Sequence, residues 1–328
     1  MDKKRSFRML VVSLFIIPLV FFSRPFSVSG EEYQLTVASG IIGGGWYTSM
    51  AGLFEIIQGS SPSIKAKLVP GAGLANQPRV GTKEADLAWG ITPFVDAAYK
   101  GEKPFDQAYK DIRCIMKAND VFALQFIFLR ESVINSIEEI FTKKYPLKVA
   151  LVPEGVSDAY AFKKLLDFYK VDIKTIESWG GKVMRGGYPD QIELMKDKHV
   201  EAVFENTFVP ANPVLQLQPF RKLKFIPFEK KHIEYFKQFG FIPWEIPANS
   251  YEGQSKPVPT VSSGSVLIVN SKVSNEAVYN ITKVLVEKAA EIRKITTLET
   301  WDPKKGVKDL PGPLHPGAEK YLKEAGLL

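Results

Sequence analysis

The chain has 328 residues, 45% of them hydrophobic, with 43 lysines and arginines against 36 acidic side chains. The first thirty residues carry five of the basic groups and one acid, so the remainder holds 38 basic and 35 acidic side chains and a net charge of only +3. That near-balance, with no basic run interleaved with aromatics, argues against a nucleic-acid partner. One cysteine excludes an intrachain disulfide, and the length suffices for two lobes with separate cores.

At the N-terminus Lys3, Lys4, Arg5 and Arg8 precede an apolar run over residues 9–22, broken only by Ser13 and Pro18. Small and polar residues follow to Gly30, then Glu31 and Glu32. This order predicts a secretory signal over residues 1–30, cut near Gly30, and a periplasmic protein. The run is about 14 residues, short of the ~20 a spanning helix needs, although an uncleaved anchor is the alternative.

Next comes a predicted strand over 33–38, with Leu35 and Val37 alternating with polar neighbours. A glycine-rich loop leads to a helix over 50–57, a strand over 64–69, a second glycine turn with a helix from about Leu74, and a strand over 85–89. Strand, loop, helix in repetition predicts an α/β fold with parallel sheet and crossover helices. Cys114 sits in a strand-like apolar run and reads as a buried hydrophobe. Residues 120–130 form a long extended run, after which the alternation restarts: strand 147–152, helix 158–169, an extended piece 176–179, helix 189–196 and strand 200–205. Residues 260–270 are extended, a helix runs from Ser274 to about Thr297, and a last helix starts near Pro316. The two long extended runs are natural crossings between lobes.

Chemistry points to the loops. Gly40, Gly43, Gly44 and Gly45 lie between strand and helix, where backbone amides approach a ligand and the helix N-terminus favours an anion. The spacing is neither a dinucleotide fingerprint nor a P-loop. Gly71, Gly73 and Asn76 form a second such loop; Glu154, Gly155 and Ser157 form a third. Parallel strands would make the three converge, since ligands in open sheets bind off the carboxyl ends of strands. Enzyme signatures are poor. His199, His232 and His315 lack metal spacing, no nucleophile motif is present, and His315, between prolines before a helix, reads as structural. No cofactor is expected.

With these residues in place, the chain from Leu35 onward resembles the TAXI-type solute-binding proteins of TRAP transporters. The matching stretches are Gly40, Gly43, Gly44 and Tyr47; GTKEADLA at 81–88 with DAAYKG at 96–101; IPANSYEGQ at 246–254; and PLHPGAEKY at 313–321 with Glu324 and Gly326. The resemblance implies a two-lobed periplasmic-binding-protein fold of the type II class, with lobe 1 formed by residues 31–121 plus 271–328 and lobe 2 by 122–270. It implies capture of a small organic acid by lobe closure, without catalysis, for delivery to the TRAP membrane subunits. A ligand-sensing receptor of the same fold is the alternative. Expected ligand residues are Gly43, Gly44, Trp46, Tyr47, Asn76, Trp89 and Thr92 from lobe 1, and Glu154, Ser157, Glu205 and Asn206 from lobe 2; Arg185 is a further candidate carboxylate partner. The chain departs from the family's usual polar residues at Gly45, Gly73 and Ile91. Absent hydroxyls leave backbone amides as the main anion donors, and nearby indoles add apolar area, so the expected ligand keeps a carboxylate but has a bulkier or more apolar body than glutamate.

Overall fold

A computed structural model describes residues 32–328; the expected signal segment lies outside the described residues. The first half runs β1 (Tyr33–Ala38), α1 (Gly45–Ser60), β2 (Ile64–Val69), α2 (Asn76–Gly81), β3 (Leu87–Ile91), α3 (Thr92–Lys100), β4 (Ile112–Lys117), β5 (Phe122–Leu129), α4 (Ile137–Thr142) and β6 (Lys148–Leu151). Then come α5 (Ser157–Phe168), α6 (Ile173–Ser178), β7 (Lys182–Arg185), α7 (Tyr188–Lys196), β8 (Ala202–Thr207), α8 (Asn212–Leu217), β9 (Leu223–Ile226) and α9 (Lys230–Lys237). The chain closes with β10 (Ile242–Ile246), β11 (Val258–Ser263), β12 (Ser265–Asn270), α10 (Asn275–Glu287), α11 (Ala289–Ile292), α12 (Pro303–Gly306) and α13 (Pro316–Glu324).

Two mixed sheets organise these elements. One has the order β2-β1-β3-β12-β4; the other has β10-β11-β5-β8-β6-β7, with β9 also on β5. Strands β1, β2 and β3 are mutually parallel, as are β6, β7 and β8, because a helix follows each of them and carries the chain back across the sheet. Fully apolar or fully buried strands occupy the middle. Every residue of β5 (FALQFIFL) and β12 (SVLIVN) is buried, as expected for strands covered on both faces.

The chain passes between sheets twice, from β4 to β5 and from β11 to β12. The extended run over 260–270 is therefore two strands divided at Gly264. β12, expected at the end of lobe 2, belongs to the first sheet, where it pairs antiparallel with β3 and β4. The change of sheet thus falls at Gly264 rather than after Asn270.

Two other expectations are corrected. The piece over 176–179 is not extended: α6 occupies it, started by Asp172, whose carboxylate accepts the Thr175 N–H at 2.8 Å. The helix begun at Ser274 stops at Glu287, with a break at Lys288 before α11.

Candidate functional site

The carboxyl ends of the parallel strands of both sheets meet at one cavity of about 30 Å³. From the first sheet come Gly44, Gly45 and Trp46 after β1, Gly73 after β2, and Ile91 at the end of β3. From the second come Val156, Ser157 and Asp158 after β6, Tyr188 after β7, and Asn206 and Thr207 at the end of β8. That volume holds on the order of two water molecules, so anything larger is admitted only when the two sides move apart.

Two helix N-termini face this cavity. Neither α1 nor α5 is capped by a side chain. The Gly45 and Trp46 amides find no acceptor among the described residues. Free first-turn amides together with the helix dipole make such a position attractive to an anion.

The glycines set how closely the sides approach. A Cβ on Gly44 would lie 3.0 Å from the Tyr188 ring, one on Gly45 2.5 Å from Phe208, and one on Gly73 3.0 Å from Ser157 Cβ and 2.9 Å from Ile91. In each case the obstacle includes a residue preceding or opening an element of the other sheet, or just following one. The Leu74 N–H also donates to the Gly155 carbonyl at 3.1 Å, loop against loop. A side chain at Gly45 or Gly73 would therefore collide with the opposite wall of the cleft.

Aromatic rings floor the cavity. Trp46 stacks near Trp89 with ring centroids 6.4 Å apart and meets Phe122 at 5.1 Å; Phe122 meets Phe208 at 4.3 Å. The Trp46 indole N–H donates to Ser265 Oγ at 2.8 Å.

The side-chain charge at the cavity is negative. Asp158 is buried, accepting from Ser157 Oγ at 3.1 Å and from the Tyr188 hydroxyl at 3.3 Å. Burial pushes its carboxyl up to about 6 in spite of these donors. Burial, followed by the charge of Asp158, pushes Glu205 up to about 8. Among the described residues no lysine or arginine lines the cavity.

The expected site residues fall into two groups. Gly44, Trp46, Ser157 and Asn206 line the cavity together. Glu205 is buried on β8 beside Asn206 and does not point to solvent. Gly43 is exposed, its φ of 85° turning the chain toward α1, and Tyr47 is half-buried in the first turn of that helix. Asn76 is consumed by the scaffold. Its Nδ2 donates to the Ser39 and Trp89 carbonyls, and its Oδ1 accepts from Ala72, which ties three strand ends together and leaves little for a ligand. Trp89 is wholly buried behind Trp46. Thr92 opens α3, its amide held by the Gly264 carbonyl at 3.0 Å. Glu154 and Arg185 pair with each other outside the cavity, and Arg185 also donates to the Val152 carbonyl; Arg185 is not free to hold a ligand carboxylate here.

Asp158, Tyr188 and Phe208 were not anticipated. Gly186 and Gly187 before Tyr188 form a fourth strand–glycine–helix loop, and that pattern would have flagged Tyr188 had β7 been read as a strand. Asp158 follows Ser157 directly in the first turn of α5.

The model of the NMT1-like family matches residues 37–326. Among solved structures, the chain is similar to PhnD1 from Prochlorococcus marinus in complex with methylphosphonate, at 15% identity over 90% of this chain and 99% of that one, with a TM-score of 0.54. It is similar to MatC from Rhodopseudomonas palustris with bound malate, at 14% identity over 89% and 96%, TM-score 0.52. A binding protein component of an ABC phosphonate transporter from Pseudomonas aeruginosa aligns at 13% identity over 83% and 81%, TM-score 0.52. At such identities the likeness is one of fold, and the fold is the type II periplasmic-binding architecture.

Proposed function

Since the chain belongs to the NMT1-like family, we propose that it is an extracytoplasmic solute-binding receptor that closes on a small organic acid and passes it, chemically unchanged, to membrane subunits of a transporter. The observation that carries this reading is the meeting of two uncapped helix N-termini, α1 and α5, at one cavity at the carboxyl strand ends of two sheets. The free Gly45 and Trp46 amides at α1 would receive a carboxylate. Ile41, Ile91, Phe122 and Val156, with Trp46, would take the ligand's apolar body, which favours a bulkier or more apolar acid than glutamate.

Capture proceeds by a shift between open and closed states, with ligand contacts from both sides favouring the closed one. The moving parts would be two lobes joined at residues 118–121 and at Gly264. Among the described residues no helix is long and apolar enough to cross a membrane, and the N-terminal signal pattern supports export. The TRAP membrane subunits are the partners that the TAXI-like motifs support.

Native mass spectrometry of the exported chain tests the reading. A small organic acid that leaves on denaturation, and that contracts the protein in small-angle scattering when added back, is the expected result. A chain that carries no such molecule and neither contracts nor gains thermal stability across a panel of organic acids would refute it. Ligand at 100 times its Kd raises stability by about 2.7 kcal/mol, well within detection. Affinity capture from native membranes identifies the partner: TRAP subunits are expected, and an ABC permease in their place would overturn that part.

A further inference from the structure

We infer that the end of the second sheet away from the cleft carries a membrane-facing surface, which rests on anionic phospholipid headgroups. Five cations stand there around two adjoining cavities of about 290 and 450 Å³ that share Arg130, Leu223 and Gly253. Lys224 and Lys256 line the first cavity; Arg221 and Lys222 line the second. None of the five is in an ion pair among the described residues. Arg221 donates to the Phe220 and Lys196 carbonyls, and Lys224 to the Ser132 carbonyl and Asn135 Oδ1. Glu252 is the one acid lining either cavity among the described residues, and Glu131, next to Arg130, is taken by Lys198 at 2.7 Å. Burial, followed by the charge of Arg130, holds Lys224 below the usual lysine range, and Glu139 and Glu201 offset this only in part. Beyond the first thirty residues the chain has a net charge of only +3, so this is a local concentration of uncompensated positive charge, which calls for an anionic partner.

Apolar side chains stand beside the cations. Among the described residues six large hydrophobics are exposed, and three of them, Val133, Leu215 and Phe220, flank this groove. Phe220 precedes Arg221, and Lys196 Nζ lies 4.8 Å from its ring centroid. Val133 lies between Ser132 and Asn135, the two partners of Lys224. Leu215 is one helical turn before Gln218, which lines the second cavity and donates to the Glu252 carbonyl at 3.3 Å. A free phosphate asks for donors that converge on one point, whereas these cations are spread along a groove and mixed with apolar groups. A bilayer surface meets both: its phosphates attract the cations, and apolar side chains enter the headgroup boundary. The place also leaves the cleft free. β5 runs from Phe122, which lines the cleft cavity, to Leu129 just before Arg130, a span of about 25 Å in extended chain.

Flotation of the exported chain with vesicles tests this, using phosphatidylcholine alone and phosphatidylcholine with about a third phosphatidylglycerol. Binding to the anionic vesicles should be at least about tenfold tighter than to the neutral ones. Salt at about 1 M, where the screening length falls to about 3 Å, should remove that preference. The double variant Lys222→Glu/Lys256→Glu should weaken binding at least about tenfold. It should leave the melting temperature unchanged, because both side chains are exposed and unpaired. Phe220→Ser should weaken binding about threefold or more through the apolar contact. Lys283→Glu/Lys294→Glu makes the same change in net charge at exposed positions of the C-terminal helical segment and should leave binding within about twofold of the parent. Equal binding to the two kinds of vesicle would overturn the inference. So would an equal loss in the Lys283/Lys294 control, which would reduce the effect to net charge. Release by inorganic phosphate beyond that given by chloride at the same ionic strength would overturn it too, in favour of a site for a soluble anion. Each of these failures leaves the receptor reading standing, since the cleft is untouched.

Discussion

Trp46 and Ser265 are linked across 219 positions of sequence by one hydrogen bond, indole N–H to hydroxyl, 2.8 Å long. Ser265 stands directly after Gly264, where the chain crosses between sheets, and it is itself clamped by Asp120 from the other crossing. The Ser265 N–H donates to Asp120 Oδ1 at 2.7 Å and its hydroxyl donates to Asp120 Oδ2. The floor of the cleft is thereby fastened to both crossings at once. Trp46→Phe removes one buried hydrogen bond and part of a buried ring and should lower stability by about 1–3 kcal/mol, whereas Asp120→Ala orphans the Ser265 amide and should cost about 1–3 kcal/mol. Urea unfolding measures both. An Asp120→Ala variant as stable as the parent would show that the clamp is not centred on Asp120.

Tight closure makes a second expectation. Gly45→Thr places a Cβ 2.5 Å from Phe208 Cδ2, an overlap the flanking backbone cannot absorb cheaply. The overlap with Phe208 costs roughly 1–3 kcal/mol in the closed state, beyond the 3.2 Å contact with Thr297 Cγ2 that both states share, so ligand affinity should fall by about fivefold or more. Opening would relieve the overlap with Phe208, so the radius of gyration in saturating ligand should stay nearer the open value. Unchanged affinity would mean that the functional closed form is looser at this point.

Much of the fold was legible because its middle strands are unbroken apolar runs. The stretch FIFL in β5 and VLIV in β12 can only be buried, and the glycine loops after β1, β2 and β6 announced the carboxyl strand ends where the cavity lies. His315 was legible too, its Nδ1 accepting the Gly317 N–H as the cap of α13. Short edge elements were not. β7 (KVMR) and β10 (IPWEI) have few buried residues, so no apolar pattern marks them, and missing β7 hid the loop that places Tyr188. The acidic character of the cleft was invisible for a different reason. Asp158, Tyr188 and Asn206 come from three separate strand ends, and their roles arise from approach in space. Asn76 shows the converse: a polar residue at the expected ligand position whose hydrogen bonds go to the backbone.

Cys114 offers a check on the core independent of the cleft. It is fully buried in β4, and burial pushes its thiol up to about 12. Thiolate is the reactive form. A disulfide reagent such as DTNB at pH 8 should therefore release no chromophore from the native protein over hours and one equivalent in denaturant. Prompt reaction under native conditions would show that β4 opens locally.

The buried carboxyls predict how stability varies with pH. Glu205 titrates near 8 in the folded chain against an ordinary glutamate value near 4.3. The folded state therefore holds a proton that the unfolded state has released, and stability falls as pH rises between the two values. This contribution is fully present below about pH 4 and is lost as pH rises through about 8. Asp120 and Asp158, both near 6 by burial, act with the same sign between about pH 4 and 6. Glu205→Gln abolishes the first term only. The variant should match the parent near pH 4 and exceed it at pH 8.5, by an amount on the order of a few kcal/mol. Urea unfolding at both pH values, in protein stripped of small molecules, reads the difference. A variant less stable than the parent at pH 8.5 would mean that Glu205 is ionised and paired in the folded protein.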